Sequence, residues 1–165
     1  MKNRKIRKSL LLAFVITALL SLTCFADTKD NAVFFRIKSD NNYTLNAYTS
    51  SVPKSGTKVT MYRLTDTETQ KFYTNGGYLY NARSGYNPDV RVAYSYQNAI
   101  FRPVTYDSTL AHFSVEYLNG YYKFYLDQIE NEYTTLTAPL NYTSETAQVT
   151  FQMDSKLNNQ RWKLG

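Results

Sequence analysis

Few residues in this chain have the chemistry for catalysis. The 165-residue sequence contains one histidine, His112, and one cysteine, Cys24. A single histidine cannot supply a metal-binding pair, and as a general base it would need a cleft and a partner within hydrogen-bonding reach. His112 aligns with Lys71 and Arg161 at the variable position of a repeated motif described below, which predicts an exposed side chain.

Paired carboxylates are the other candidates for acid–base chemistry. The pairs Asp66/Glu68 and Glu130/Glu132 lie in polar stretches, where solvation explains acidic residues without a catalytic role. The sequence has no Gly-rich loop for phosphate. We therefore predict a binding protein with no catalytic residues, no bound metal and no cofactor.

The first 26 residues have the pattern of a secretory signal peptide. Five basic side chains precede an apolar core at residues 10–20, and Ala26 offers a cleavage site. The apolar core is too short to span a bilayer, which takes about 20 residues. Lipidation at Cys24 is the less favoured alternative, because the preceding Ser21-Leu22-Thr23 fits a lipobox poorly.

Removal of this segment changes the electrostatic interpretation. The full chain has a formal net charge of +6, but residues 27–165 contain fourteen basic and thirteen acidic residues, a net charge of +1. Such a chain lacks the cationic field that nucleic acid requires. It also has no thiol for a disulfide or metal site. We expect a secreted protein, extracellular or associated with a bacterial cell wall, that does not insert into the membrane after signal removal.

Two short segments repeat in the remainder of the chain. Tyr73-Thr74-Asn75-Gly76-Gly77-Tyr78 and Tyr117-Leu118-Asn119-Gly120-Tyr121-Tyr122 share the pattern Tyr-x-Asn-Gly-x-Tyr. Asn-Gly between β-rich segments predicts a hairpin with a type I′ turn, because both residues tolerate a positive φ.

A second motif, Gln-x-aromatic, also recurs. It is intact in Gln160-Arg161-Trp162, reads Gln70-Lys71-Phe72 in the first copy, and becomes Ala111-His112-Phe113 in the second. Together the motifs predict an N-terminal tail at 27–32 and a domain at 33–165, divided into repeats at 33–77, 78–120 and 121–165.

The periodicity within each repeat is that of β-strands. Residues 58–64 and 147–153 alternate between apolar and polar side chains, and the sixteen tyrosines favour pleated strands. Three units are too few for a propeller, whereas four strands per unit can close a barrel with a hairpin cap. We predict an all-β fold in which Phe72, Phe113 and Trp162 meet on the threefold axis.

These repeats resemble those of the ricin-B-type β-trefoil lectins, which end in Gln-x-Trp. The resemblance covers the whole chain after the signal peptide, although only the third repeat has the motif intact. It implies a β-trefoil and, in each repeat, a sugar site formed by an early acidic residue, an aromatic residue on the third strand, and Asn and Gln beside the motif. Such groups suit sugars, whose C–H faces stack on rings and whose hydroxyls bind amides and acids.

Transferred to the first repeat, these positions are Asn46, Tyr62, Thr69 and Gln70. Other roles compete at three of them: Gln70 can bond the backbone, Tyr62 can pack across strands, and Asn46 can sit at a turn. In the second repeat the matches are Asp89 and Phe101, with Ala111 in place of Gln and a register near Asp89 that is open by at least one residue.

The third repeat keeps Asn159 and Gln160 but has Thr137 and Gln152 where the acid and the aromatic ring belong. No repeat has the full set, and the first is the best candidate. We predict a secreted carbohydrate-binding trefoil with one or two shallow sites. The alternative is a protein–protein interaction module, such as an inhibitor, adhesin or toxin partner, that uses the Tyr-rich segments 75–80 and 117–125.

Overall fold

The computed structural model of the chain describes residues 28–86, 88–126, 134–142, 147–155 and 157–165. The predicted signal peptide, Cys24 and the pair Glu130/Glu132 lie outside these residues. None of the helices in the described ranges has the length and apolar character to cross a membrane.

The described residues form twelve strands, four in each repeat. The first four are β1 (Val33–Ile37), β2 (Asp40–Ala47), β3 (Val59–Arg63) and β4 (Lys71–Asn75). The next four are β5 (Tyr78–Asn81), β6 (Val90–Ser95), β7 (Asn98–Pro103) and β8 (Phe113–Leu118). The last four are β9 (Tyr121–Leu126), β10 (Thr135–Thr137), β11 (Thr150–Gln152) and β12 (Trp162–Leu164).

Six of the strands close into a barrel. Strand β1 pairs with β4 and β12, β4 with β5, β8 with β9, and β9 with β12. The ring is completed by a β-bridge between Tyr78 of β5 and His112, which directly precedes β8. Closure leaves no unpaired barrel edge that could template aggregation.

The other six strands form three hairpins, β2–β3, β6–β7 and β10–β11, which cover one end of the barrel. Bridges connect each hairpin to the next: Lys58 to Ile100, Thr60 to Gln148, and Thr150 to Asn98. A six-stranded barrel capped by three hairpins in threefold arrangement is a β-trefoil, so the predicted fold class is confirmed.

One turn of 3₁₀ helix precedes the last strand of every repeat. These turns are Glu68–Gln70, Ser108–Leu110 and Asn158–Gln160. Each turn places the following aromatic residue, Phe72, Phe113 or Trp162, at the start of a barrel strand. All three side chains are buried in one core cluster.

The three aromatic residues share this core without touching ring to ring in the described structure. Phe72 lies between Phe35 and Phe101, with ring centroids at 6.0 and 6.5 Å. Phe113 stacks on Phe151 at 6.0 Å, and the Trp162 indole donates a hydrogen bond to the carbonyl of Leu136 at 3.2 Å. The prediction that the three residues belong to one core is confirmed, and the ring contacts of Phe72 and Phe113 are made with aromatic residues of other strands.

The turns of the β4–β5 and β8–β9 hairpins lie at positions of the Asn-Gly motif that differ by one residue. In the second, Asn119 and Gly120 both have positive φ, as the Asn-Gly pattern predicts. In the first, Asn75 pairs with Tyr78, so the turn residues are Gly76 and Gly77. The expected turn is therefore displaced by one position, because a second glycine follows Asn-Gly and accepts the left-handed conformation more easily.

Candidate functional site

A cavity of about 400 Å³ opens on the first repeat. It lies between the end of β2 with the residues that follow it, the third strand β3, and the loop that leads to the 3₁₀ turn. Its walls combine aromatic, amide and hydroxyl side chains, namely Asn46, Tyr48, Thr49, Ser50, Tyr62, Thr65, Thr67 and Thr69. Three of the four positions predicted for this repeat therefore converge on one concave surface.

The β2–β3 ladder places the amide and the ring on the same side. Thr44 pairs with Tyr62 and Asn46 pairs with Thr60. Directly opposed residues project from the same face, so Asn46 and Tyr62 lie diagonally across one face of the hairpin. Asn46 is largely buried, and its Nδ2 lies 3.4 Å from Thr60 Oγ1. This contact orients the Asn46 carboxamide at the wall of the cavity.

The loop wall consists of threonine hydroxyls on alternate residues. The Oγ1 atoms of Thr67 and Thr69 are hydrogen-bonded to each other at 2.9 Å. Thr65 is held from behind by Gln70, whose Oε1 accepts from the Thr65 backbone N–H at 2.8 Å and from its hydroxyl at 3.2 Å. The Gln70 amide also donates to the carbonyl of Arg63 at 2.7 Å.

Gln70 therefore supports the site from inside. Its side chain is fully buried, and both ends of its amide are used within the protein. The sugar-contacting role that the resemblance implied for Gln70 is replaced by the alternative, a glutamine that holds the loop through its backbone. A buried amide bonded on both sides stabilises the loop conformation that forms the cavity wall.

The cavity has a distinct chemical character. None of its lining side chains carries a formal charge. It offers two phenol rings for stacking and several hydroxyl and amide groups for hydrogen bonds, which suits an uncharged, hydroxyl-rich ligand. Within the described residues there is also no group of three His, Cys, Asp or Glu side chains that could hold a metal ion.

Comparison with known proteins gives matches in structure only. No family model and no curated protein sequence matches the chain. Among solved structures, the lectin domain of the Vibrio vulnificus haemolysin, determined with N-acetyl-D-lactosamine bound, has a TM-score of 0.63 at 14% identity; the match covers 86% of this chain and 95% of that one. The C-terminal half of the earthworm R-type lectin, determined with GalNAc, has a TM-score of 0.62 at 12% identity, covering 81% and 96%.

A mosquitocidal holotoxin is similar over a single region, with a TM-score of 0.65 at 16% identity. The match covers 81% of this chain but only 17% of the holotoxin. The chain has the fold of the ricin-B-type β-trefoil lectins. At these identities the similarity establishes the fold, and the site must be argued from the trefoil's own residues.

The second repeat of the trefoil does not bring its predicted residues together. Phe101 is fully buried and stacks on Phe72 in the core, so it has no surface for a ligand. Phe101 pairs with Val92 as Met61 pairs with Leu45, which makes Arg102 the counterpart of Tyr62. The sequence alignment was wrong by one residue, and a shift of one position along a strand reverses the face on which a side chain lies.

Arg102 fills the corresponding surface of the second repeat. Its Nη2 donates to Ser95 Oγ at 2.8 Å, and its guanidinium lies 5.3 Å from the ring centroid of Tyr106. Asp89 lies elsewhere, on the wall of a second cavity formed largely by strands β4 and β5 and the loop that precedes β6. Asp89 and Phe101 therefore do not form a common site.

The glutamine of the motif in the third repeat bonds the backbone of its loop, as Gln70 does in the first repeat. Gln160 Oε1 accepts from the N–H and the hydroxyl of Ser155, both at 2.7 Å, and its Nε2 donates to the carbonyl of Met153 at 2.7 Å and to Thr137 Oγ1 at 3.0 Å. Asn159 donates to the carbonyl of Ala138 at 3.0 Å. The prediction that Gln160 is structural is confirmed.

Sequence reasoning missed two features. Tyr48 lines the cavity and is 47% exposed. Its spacing of two residues from Asn46 was the available signal, since alternate residues of an extended segment share a face.

His112 was expected on the surface but is partly buried, with its ring at 5.2 Å from that of Tyr78 in an edge-to-face contact. Its role in closing the barrel between β5 and β8 explains the difference.

Proposed function

We propose that this chain is a secreted, non-enzymatic carbohydrate-binding domain whose sugar site is the cavity of the first repeat. The observation that carries the proposal is the convergence of Asn46, Tyr62 and Thr69 on one concave surface without a charged lining residue. They are three of the four positions that the lectin resemblance marks in this repeat. The similar lectin structures determined with lactosamine or GalNAc support a sugar of this kind as ligand.

The lining favours a neutral hexose or N-acetylhexosamine. A sugar ring would place its C–H face on Tyr62 or Tyr48 and its hydroxyls against Asn46 and the threonine hydroxyls. A bound carboxylate or ammonium group would find no opposite charge among the lining side chains. The open, shallow shape predicts weak binding, with a dissociation constant on the order of 1 mM.

Titration with neutral sugars tests this function. Galactose, N-acetylgalactosamine, lactose and glucose are added to the purified protein, and binding is followed by calorimetry and by amide chemical shifts. Tyr62→Ala should weaken binding by about tenfold or more, since it removes the ring that defines one wall. Tyr117→Ala, which removes an exposed tyrosine on β8, is the matched control and should leave the affinity unchanged.

A negative result is well defined. Failure of every sugar to bind at millimolar concentration, with spectra unaffected by Tyr62→Ala, would remove the proposal. A glycan array then extends the search to larger sugars only if one of the simple ligands binds.

The alternative, a protein-interaction module, is supported by one specific surface. The end of the β8–β9 hairpin exposes Tyr117 and Leu118, both more than half exposed, beside the partly buried Tyr121 and Tyr122. Exposed tyrosines suit protein recognition because they provide contact area at low entropic cost. Capture of a stable protein partner that free sugars do not displace, and that Tyr117→Ala abolishes, would favour this function over sugar binding.

A further inference from the structure

The second cavity has a different chemical character from the first. It measures about 500 Å³ and is formed by the N-terminal residues 28–29, strands β4 and β5, and the segment that precedes β6. Three tyrosines line it, Tyr73, Tyr80 and Tyr86, together with Asp89 and Lys29. It occupies none of the three surfaces that the threefold repeat relates to the Tyr62 cavity.

The rings of this cavity are held in place by the protein. Tyr73 and Tyr80 are stacked with centroids 5.4 Å apart, and the Tyr73 hydroxyl donates to the carbonyl of Gly85 at 3.3 Å. Burial, and to a lesser degree the neighbouring Tyr80, raise the pKa of Tyr73. The Tyr86 hydroxyl donates to Asp30 at 2.7 Å, and this hydrogen bond raises the pKa of Tyr86. Both phenols are therefore uncharged at neutral pH.

An ammonium group of the chain itself already lies on one of these rings. The Nζ of Lys29 is 5.0 Å from the centroid of Tyr86, within the distance at which a cation is attracted to an aromatic face. Tyr86 is 68% exposed, so this contact is made at the open side of the cavity. Lys29 thus shows which charge the ring attracts in this position.

The charged groups around the cavity also favour a positively charged ligand. Asp89 lines the wall and Asp30 is bonded to Tyr86, whereas Lys29 is the one cationic side chain among the lining residues that the structure describes. The lining itself carries one carboxylate and one ammonium, so displacement of Lys29 from Tyr86 would leave the Asp89 carboxylate as the charged group of the lining, beside the rings of Tyr80 and Tyr86. Aromatic faces combined with a carboxylate are the chemistry by which proteins bind ammonium and quaternary ammonium ligands.

We propose that the second cavity binds a small ligand through an organic ammonium group, held by the rings of Tyr80 and Tyr86 and by Asp89, and that the ligand displaces Lys29 from Tyr86. The proposal does not depend on sugar binding at the Tyr62 cavity. Two sources share this chemistry, an amino sugar and a quaternary ammonium headgroup. The Lys29 contact makes the site self-occupied in the free protein, which lowers the apparent affinity for an external ligand.

Titration of the purified protein with choline, glucosamine and glucose tests the proposal, with binding followed by amide chemical shifts and calorimetry. Choline and glucosamine are expected to shift the residues of the second cavity, and glucose is not. A response to choline alone identifies a quaternary ammonium headgroup as the source, and a response to glucosamine alone identifies an amino sugar. Asp89→Asn should weaken ammonium binding by about fivefold, and Lys29→Met should strengthen it by roughly two- to fivefold.

Asp154→Asn is the matched control. Asp154 is an exposed carboxylate that pairs with Lys123, and neither residue lines the second cavity, so this substitution should leave the affinity unchanged. The sign of the Lys29→Met effect decides the outcome. Weaker binding after Lys29→Met, or binding of glucuronate that this substitution abolishes, would assign the cavity to anions and overturn the proposal. Absence of a shift with both ammonium ligands at about 50 mM, above the range expected for a shallow site, would overturn it as well.

Discussion

The first and second repeats share the register of their hairpins, but they hold the loop after the third strand with different side chains. In the first repeat the buried Gln70 bonds Thr65 and Arg63 from within, and the outer surface of the loop is left as the wall of a cavity. In the second repeat Ala111 stands in place of this glutamine. The carbonyl of Tyr106, in the loop after β7, instead accepts a hydrogen bond from Arg91 at 2.9 Å.

The loss of the glutamine is accompanied by a loss of the open surface. Arg102 lies over Tyr106 and bonds Ser95, so the position that Tyr62 occupies in the first repeat is used for an internal contact. The third repeat has the glutamine and the same set of buried bonds, but lacks an aromatic residue at the Tyr62 position, where Gln152 stands. The comparison indicates that the glutamine holds the loop in the first and third repeats, and that the third-strand residue decides whether the surface beside the loop has an aromatic ring.

The largest effect is expected from removal of the buried glutamines. Gln70→Ala and Gln160→Ala each remove a buried amide that bonds a backbone N–H and a carbonyl of the adjacent, partly buried loop, so each should lower the free energy of unfolding by about 2 kcal/mol. Urea denaturation followed by tryptophan fluorescence measures this loss. Gln152→Ala is the control, because this exposed glutamine bonds only Thr150 in its own strand, and its effect should stay within about 0.5 kcal/mol. Equal stability of Gln70→Ala and Gln152→Ala would mean that Gln70 does not hold the loop.

The hairpins that end the two repeats extend the comparison. Gly77 and Gly120 have nearly the same positive φ, 81° and 82°. A Cβ at Gly77 would collide with the imidazole of His112, whereas one at Gly120 would meet no atom within 4 Å. Gly77→Ala should therefore cost about 2 kcal/mol of stability and Gly120→Ala about 1 kcal/mol, the latter from backbone strain alone.

Thermal or urea unfolding of both glycine variants measures this difference. Combining Gly77→Ala with His112→Ala tests its cause, since removal of the imidazole should restore most of the excess loss. Equal stability of the two glycine variants would show that the imidazole of His112 moves aside without cost, and that its contact with Gly77 causes no loss of stability.

The fold was accessible from the sequence because its signals are periodic. Alternating strands, Asn-Gly turns and the repeated Gln-x-aromatic motif all report the same threefold unit, and errors in one copy are corrected by the others. The second-repeat register was not accessible. Met61 and Phe72 are 11 positions apart, but Phe101 and Phe113 are 12 apart, and sequence alone does not reveal where the additional residue lies.

Only the part of the candidate site that lies on strands was predicted from the sequence. Asn46 and Tyr62 lie on strands, where the register fixes the face, and both line the cavity. Tyr48 and the second cavity depend on loop conformations, which strand periodicity does not determine. The inward direction of Gln70 follows from the hydrogen bonds of one loop, so the pattern of residue types could not distinguish it from a ligand-binding glutamine.

A smaller effect is expected when Arg102 is removed from the surface of the second repeat. Arg102→Met removes the bond to Ser95 and the contact with Tyr106 but keeps an aliphatic chain of similar length. Stability should fall by about 1 kcal/mol, and no neutral sugar should bind at this surface, because Ala93 and Leu110 stand where the first repeat has Asn46 and Thr69. Chemical-shift mapping with the sugars used for the first cavity measures this. New binding at the second repeat would show that an arginine alone closes the site.

The smallest effect is expected when the first repeat is given the asparagine that the lectin resemblance implies at position 69. Thr69 is the counterpart of Asn159, whose amide reaches the carbonyl of Ala138 in the third repeat. Thr69→Asn would add an amide to the wall of the Tyr62 cavity, at the position where the lectin resemblance implies one. If the cavity binds a neutral sugar, the added hydrogen bond should raise the affinity by about two- to fivefold, while the stability changes by less than about 0.5 kcal/mol. Thr49→Asn, on the opposite wall, is the matched control. A gain of affinity in both variants would show only that the cavity accepts more polar surface, and a gain limited to Thr69→Asn would place the sugar hydroxyls against the loop that Gln70 holds.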